Sequence, residues 1–473
     1  MTDTLDRTAR DYSIVGPEAQ HALEVGLVDA EWFRPPVSPE RMRELTERTN
    51  ARAIADAVLW VALLVGFGAA AAVAFPSPWA ILIFAVYGVL FGAADARWHE
   101  FGHGTACSDE RVNGVMYQFA SLILWRGPTL WRWSHFRHHS DTIIVGRDPE
   151  IQLSRPPSRL RLLLNYTGLR NQPEMFWRII QHAFGRIDPV ALELVPKNER
   201  HKVVWEARFS VAFHAAAVVL AIAIQSWLPV LLVGLPTIYG AWVVLFFGTT
   251  QHLGLREDVL DHRANSRTVY MNPVFRFLYL NMNYHVEHHI FPAVPYYRLP
   301  ALHAEIKYAL PEPSPNCWHA YLEILGELRQ QRIDPQHELV TRTIPDVASA
   351  TAEAGLIGSV RPDGSFDLGP VEMLAVGSIT RVDVRDRTFA VARISAEAVC
   401  VVDGICTHGQ VHLAGGAIVD GADGPQIECP KHNGRFDLTT GAPCRKPAKT
   451  PIAVHHADTS TDHIIIHPAK SDS

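Results

Sequence analysis

The chain has 473 residues, enough for two or three domains, and is 48% hydrophobic but only 19% charged. That balance argues that part of it lies in a membrane, while a net charge of −6 leaves no basic footprint and argues against nucleic acid as a partner. The six cysteines are scattered except for two inside a motif treated below, which fits a reducing compartment without a disulfide framework.

Residues 1–52 are mixed, charged and contain Pro, and read as a cytoplasmic segment. Asp3 and Asp6, with no early apolar core, speak against a signal peptide. Residues 53–75 are almost wholly apolar and long enough to cross a bilayer of ~30 Å. After the turn Pro76-Ser-Pro78, residues 79–94 form a slightly short return span, with Trp79 as an interfacial anchor. Residues 115–133 are apolar with no clean polar face and read as a re-entrant or surface helix, followed by a polar stretch over 140–202. A second hairpin spans 209–228 and 230–250, joined around Pro229.

Neither turn, 76–78 or 226–229, holds a Lys or Arg, so the positive-inside rule puts both termini on the cytoplasmic side of an inner membrane. A soluble four-helix domain is the alternative, but spans of this length are unusual in soluble cores. Residues 316–331 read as an amphipathic helix, and 336–357, rich in small residues, as a linker. Beyond it, alternating segments at 379–384, 389–394 and 398–402 mark a small β domain over 358–470. The expected fold is thus an α-helical membrane protein of four transmembrane helices in two hairpins with a cytoplasmic helical cap over 53–335, and a C-terminal all-β domain.

Three histidine clusters follow the apolar spans. Asn283-Tyr-His-Val-Glu-His-His-Ile-Phe-Pro292 places His285, His288 and His289 in an H-x-x-H-H pattern, and His135, His138 and His139 repeat it. His99 and His103 stand at i, i+4. On a helix these spacings share one face, so the imidazoles can converge. The bland reading of any one cluster is a solvated histidine-rich turn. Thr249-Thr-Gln-His252 adds a ninth histidine at the cytoplasmic end of the fourth span, although a lone His at a helix end is often merely interfacial. Nine imidazoles exceed the capacity of one metal, which implies two. His214, mid-span, is expected to pack or hydrogen-bond between helices, and His182, His201, His262, His303 and His319 to be structural or solvated. Asp148 and Glu150, in Gly146-Arg-Asp-Pro-Glu150, either orient ligand imidazoles or cap a turn.

A second site lies in Cys406-Thr-His408 and Cys429-Pro-Lys-His432. Zinc sites usually pair Cys with Cys and His with His at short spacing, whereas each loop here offers one of each. That mixture suits a Rieske two-iron cluster, with two Cys on one iron and two His on the other. Cys400 and Cys444 have no paired spacing to either loop. A one-electron carrier joined to a redox-inert zinc hydrolase has no use, whereas an O₂-activating metal pair needs an electron supply. Iron is therefore preferred at the nine-histidine site.

The boxes His99–His103, His135–His139 and Asn283–Pro292 resemble those of the membrane fatty-acid desaturase and hydroxylase superfamily over roughly residues 30–330. The resemblance implies that the eight histidines and His252 ligate two non-haem irons. Gly248 stands where some desaturases have an Asn that holds a water ligand. Residues 358–468 resemble a Rieske ferredoxin, with Val411 and Asn433 near the positions where respiratory Rieske domains carry an extra Cys pair. The segments around Cys406 and Glu428–Asp437 look most like the ferredoxin of rhizopine catabolism, which works with a desaturase-like oxygenase. The resemblance implies an O₂-dependent oxidoreductase that removes the O-methyl group of rhizopine (3-O-methyl-scyllo-inosamine) as formaldehyde. Lipid desaturation or hydroxylation is the nearest alternative, and a redox-sensing membrane module without turnover a more distant one. No Gly-rich dinucleotide fingerprint lies between a strand and a helix, so an external NAD(P)H-dependent ferredoxin reductase is expected as partner.

Overall fold

The computed structural model describes residues 10–28, 30–151, 155–334, 337–339, 342–347, 356–408, 411–421, 424–430 and 434–467. Helices fill the chain as far as Ile333, and strands begin at Leu356. Among the described residues four helical stretches are long and apolar enough to cross a bilayer: Glu40–Ala74, Trp79–His103, Lys197–Ala223 and Leu228–His252.

Helix Asn50–Ala74 packs along helix Trp79–Gly92. Between them the fully buried Trp60 donates its indole N–H to Leu90 O at 2.8 Å, so its only polar atom is satisfied. The outer faces stay apolar: Val65, Val73, Ile81, Leu82, Val219 and Ile222 are exposed. Apolar exposure on this scale marks a surface that something other than water covers.

The observed elements correct the expected spans. The second does not end at 94; after a break at Ala93 it continues as helix Ala94–His103 and carries the first histidine box on the same rod. The third starts at Arg200 rather than 209 and ends at Ala223. The fourth is not one rod but helices Leu228–Leu232, Pro236–Tyr239 and Ala241–His252. Pro236 and the left-handed Gly234, with φ +96, interrupt it. Residues 115–133 divide into helix Glu110–Ile123, capped by Asp109, and the start of helix Pro128–Ser140. The polar stretch over 140–202 contains helices Arg159–Tyr166, Asn171–Ala183 and Pro189–Leu194. The amphipathic helix is observed as Cys317–Ile333, with the Asn316 side chain accepting from His319 N. Much of the expected linker, 348–355 included, lies outside the described residues.

Two buried arginines fix the ends of the histidine-bearing elements. Arg97, 1% exposed, donates to Ala93 O, Leu278 O and Phe277 O, with the rings of Trp60 and Phe277 against its guanidinium. Burying an unmatched cation costs several kcal/mol, so these carbonyls and rings are what hold it there. They lock the first box to the segment leading into the third. Arg267 does the same for the fourth span, donating to Thr250 O and Leu253 O beside His252 and pairing with Glu323.

The β part has a five-stranded sheet in the order Leu356–Ile357, Ile379–Val384, Arg387–Arg393, Val399–Asp403, Val454–His455. A four-stranded sheet runs Pro443–Arg445, Arg435–Asp437, Gly424–Glu428, Ala417–Gly421, and another pairs Ala457–Asp458, His463–Ile466, Phe366–Pro370 and Ser359–Val360. Phe389, Val391, Val401 and Ile466 fill one core. Cys406 and Cys429 lie in the other, each just beyond a strand end. The Val/Ile-rich pattern located strands Ile379–Val384, Arg387–Arg393 and Val399–Asp403 to within two residues; the last two are buried on both faces, one against each core.

Candidate metal centres

The nine histidines singled out above gather into two sets. His99, His103, His135, His139 and His288 form one; His138, His252, His285 and His289 form the other. Within each set all ligand atoms lie within 4.8 Å of one another. The division follows from helix geometry. Residues i and i+4 differ by about 40° around the axis, and i+3 falls on the other side of i. So the helix Pro128–Ser140 gives His135 and His139 to the first set and His138 to the second. The short helix His285–Ile290 does the reverse, giving His285 and His289 to the second set and His288 to the first.

Nε2 atoms face one another at 3.0 Å (His135 and His103), 3.2 Å (His139 and His288), 2.9 Å (His285 and His252) and 3.0 Å (His289 and His285). Nitrogens about 2.1 Å from a shared ion and at right angles would stand about 3.0 Å apart. Some of the second ring nitrogens are held from behind, while Nδ1 of His99, His139, His285 and His288 is buried without a hydrogen-bond partner. His138 Nδ1 meets Asp148 Oδ2 at 2.8 Å, His135 Nδ1 meets Glu150 at 3.2 Å, and His252 Nδ1 meets Asn265 O at 2.8 Å. Such contacts fix the tautomer and leave the Nε2 lone pair for a metal. Asp148 and Glu150 thus orient imidazoles, and Asp148 also caps the turn by accepting from Ile143 N and Glu150 N.

Burial, followed by neighbouring imidazoles, holds His135, His139, His285 and His289 well below the ordinary histidine range and pushes His288 down to about 3. Burial also pulls on His138, but the adjacent Asp148 carboxylate reverses it and raises the group to about 9. Neutral imidazole is the metal-binding form, so His138, unlike the other five, would have to give up a proton to bind a metal. Buried lone pairs converging without protein donors to match them fit a pair of metal ions.

Both sets open onto one cavity of about 190 Å³, reached by His99 and His135 from the first and by His138, His252 and His285 from the second. Gly248 lines it, with nothing within 4 Å of where a Cβ would stand. Its wall is mixed, with somewhat more apolar than polar surface: Trp98, Trp131, Val244, Leu245 and Met282 line it beside the Asp95–Arg126 pair at 2.5 Å, Arg155 and Glu257 at 3.9 Å, and Asn165, whose Oδ1 is buried without a hydrogen-bond partner. Arg126 lies over the rings of Trp98 and Trp131.

The remaining histidines behave as expected of structural groups. His214 accepts from Trp125 Nε1 at 2.8 Å and its Nδ1 meets Ser210 O. His182 pairs with Asp188, His303 with Glu287, and His262 stacks on Trp32 at 4.2 Å. Sequence reasoning passed over Glu287, fully buried inside the third box, which accepts from Thr268 and binds His303. Its position between two ligand histidines was the available signal.

In the β part Cys406, His408 and Cys429 come within 4.8 Å of one another, and Cys406 Sγ lies 2.8 Å from His408 Nδ1. His432 and Asn433 lie outside the described residues. Cys406 is drawn down to about 4, first through Cys429 and despite burial, and thiolate is the ligating form.

A histidine-lined helical part joined to a small β part with a Cys/His loop site defines a redox enzyme with its own electron carrier. Residues 76–321 match the fatty acid desaturase family and residues 365–456 the Rieske [2Fe-2S] domain. The chain belongs to the fatty acid desaturase family and carries a fused Rieske domain, so it is an oxidoreductase with a di-iron site and a 2Fe-2S cluster. It is similar to the ferredoxin component of naphthalene 1,2-dioxygenase/salicylate 5-hydroxylase systems from Ralstonia sp, at 30% identity over 19% of this chain and 88% of that protein. The naphthalene 1,2-dioxygenase ferredoxin component of Pseudomonas putida is 32% identical over 18% and 83%. The chloroplastic omega-3 fatty acid desaturase of Glycine max is 27% identical over 49% of this chain and 56% of its own length, so only about half of that relative is matched. The apolar helices and the family together point to membrane association, and the ferredoxin relatives to electron-transfer partners and O₂.

Proposed function

We propose that the chain is an O₂-dependent di-iron oxygenase that hydroxylates a C–H bond of a small polar substrate, with rhizopine as the specific candidate. The observation that favours a small polar substrate is the polar part of the cavity wall: both histidine sets reach it, and it holds two ion pairs and an unmatched amide oxygen. Rhizopine in particular rests on the resemblance of the segments around Cys406 and Glu428 to the ferredoxin of rhizopine catabolism, not on the cavity. A buried polar atom without a partner costs about 1–3 kcal/mol, which a hydroxyl or amine of the substrate relieves and a methylene chain does not. The ligands are read as His99, His103, His135, His138, His139, His252, His285, His288 and His289 for the irons, and Cys406, His408, Cys429 and His432 for the cluster.

When bound, the two irons would supply the oxidising power for O₂ chemistry beside the substrate. The protein's part is to orient. Asp148, Glu150 and the Asn265 carbonyl hold imidazole Nδ1 protons, while Asp95, Arg126 and Asn165 grip the substrate. Overall, R–OCH₃, O₂, two electrons and two protons give R–OCH₂OH and water; the hemiacetal then releases formaldehyde and leaves R–OH. The electrons come from NAD(P)H through an external ferredoxin reductase and the Rieske cluster. Four spans of an inner membrane, with both termini and both sites cytoplasmic, let a soluble substrate reach the cavity. The domains are read as 53–335 and 358–470, joined by 336–357.

The second reading, a lipid desaturase or hydroxylase, is favoured by the likeness to the omega-3 desaturase. Incubation with reductase, NADH, O₂ and rhizopine separates the two. Formaldehyde and scyllo-inosamine in equal amounts support demethylation; untouched rhizopine with new unsaturation or hydroxylation in lipid supports the other.

A further inference from the structure

Glu428, the residue before Cys429, is only 2% exposed, yet three guanidinium groups surround it. Arg48, from the helical part, places Nη2 2.9 and 3.1 Å from its two carboxylate oxygens. Arg435 donates from Nε at 2.6 Å, and Arg445 Nη1 stands at 3.5 Å. The other nitrogen of Arg445, Nη2, donates to the backbone carbonyl of His103. One side chain therefore bridges the cluster loop and the last residue of the first histidine box. It can do so because Gly104, in the left-handed region at φ +66, has no Cβ; one there would collide with Arg445 Nη2.

Other tethers hold the same face. Arg34 donates to Gly415 O at 3.1 Å and Pro430 O at 3.0 Å, with its guanidinium 5.9 Å above the Phe291 ring just past the third box. Lys446 pairs with Glu199 at 2.6 Å, and Lys449 sits 4.4 Å over Trp133, which precedes the second box. The cluster-bearing side of the β domain is thus clamped to segments flanking all three boxes.

We infer that the Rieske domain is held against the histidine boxes as a docked intrachain electron donor, and that Arg445, seated on Gly104 between Glu428 and His103, is its positioning residue. This rests on the reading of both metal centres given above. Each transfer moves one electron: the reduced cluster loses it, a ferric ion of the nine-histidine site gains it, and no bond forms or breaks. The external reductase refills the cluster before the second transfer.

The test uses the full-length, metal-loaded chain and the variants Arg445→Ala, Arg445→Lys and Gly104→Ala, with Arg381→Lys, on the β domain away from this seat, as control. Hydrogen exchange is followed at residues 99–105 and 424–430. Cluster potential and iron content are measured, and reoxidation of the dithionite-reduced cluster is timed after O₂ and substrate are added. Misplacing a partner by about 1 Å can cost about 100-fold in rate. The three seat variants are expected to exchange at least about tenfold faster at 99–105 and to slow reoxidation at least about tenfold. Potential and iron content stay at the wild-type values, and methyl viologen, reducing the histidine-bound irons directly, restores turnover. Wild-type exchange and reoxidation in all three variants overturn the proposal, as does loss of iron from the nine-histidine site, which makes the contact a support for the ligands instead. A wild-type chain that keeps its protection but never reoxidises its cluster overturns the donor role together with the oxygenase reading, while leaving the contacts themselves in place.

Discussion

His139 and His289 stack with ring centroids 4.4 Å apart and planes 28° from parallel, although they belong to different histidine sets. One comes from the second box and the other from the third, so the two ion sites share a wall.

His288 is the third-box histidine that crosses to the first set, and its side chain is fully buried. His288→Ala is expected to deplete iron from the nine-histidine site and abolish turnover, leaving the Rieske absorption spectrum intact. Iron analysis alongside visible spectroscopy checks this. Retained oxygenation removes His288 from the ligand set.

Asp148 touches no metal, but it fixes His138 through a 2.8 Å contact and accepts two backbone N–H groups. Losing such a partner typically costs 10–100-fold in metal affinity or activity. Asp148→Asn should therefore fall within about that range; Ile143 N and Glu150 N donate to different carboxylate oxygens, so the single amide oxygen keeps only one of these two bonds and the turn is weakened as well. Competition with a chelator, followed by residual iron, measures the loss.

Gly248 leaves open space beside His252. Gly248→Asn is expected to fold and bind iron normally, because nothing obstructs the new side chain, yet to raise KM about tenfold by occupying the cavity. Steady-state kinetics with iron content kept constant separate this from a metal defect.

His408 lies beside Cys406 in the cluster site. His408→Cys replaces a neutral ligand with an anionic one and stabilises the oxidised cluster, so the potential should drop by on the order of 100 mV or more. Turnover falls while the nine-histidine irons stay bound. A redox titration showing no downward shift in a variant with an intact cluster contradicts the assignment.

Which histidines form the centres was legible from the three boxes, but H-x-x-H-H reads as one converging face, whereas i and i+4 go to one set and i+3 to the other. The pairing across boxes was not legible, since it depends on how Arg97 and Arg267 pin distant carbonyls and nothing in the local pattern reports that. The broken fourth span was misread as a single rod because hydropathy does not register a left-handed Gly234. The seat of Arg445 was invisible for the same kind of reason: a glycine after a helix reads as an ordinary C-cap until another domain is found resting on it.

The central claim is that the nine histidines hold a pair of irons beside a separate two-iron cluster. Iron and acid-labile sulfide in the purified chain after iron-replete expression test it most directly. About four irons to two sulfides per chain is the predicted result. About two irons to two sulfides, with stoichiometric zinc in the nine-histidine site, contradicts it.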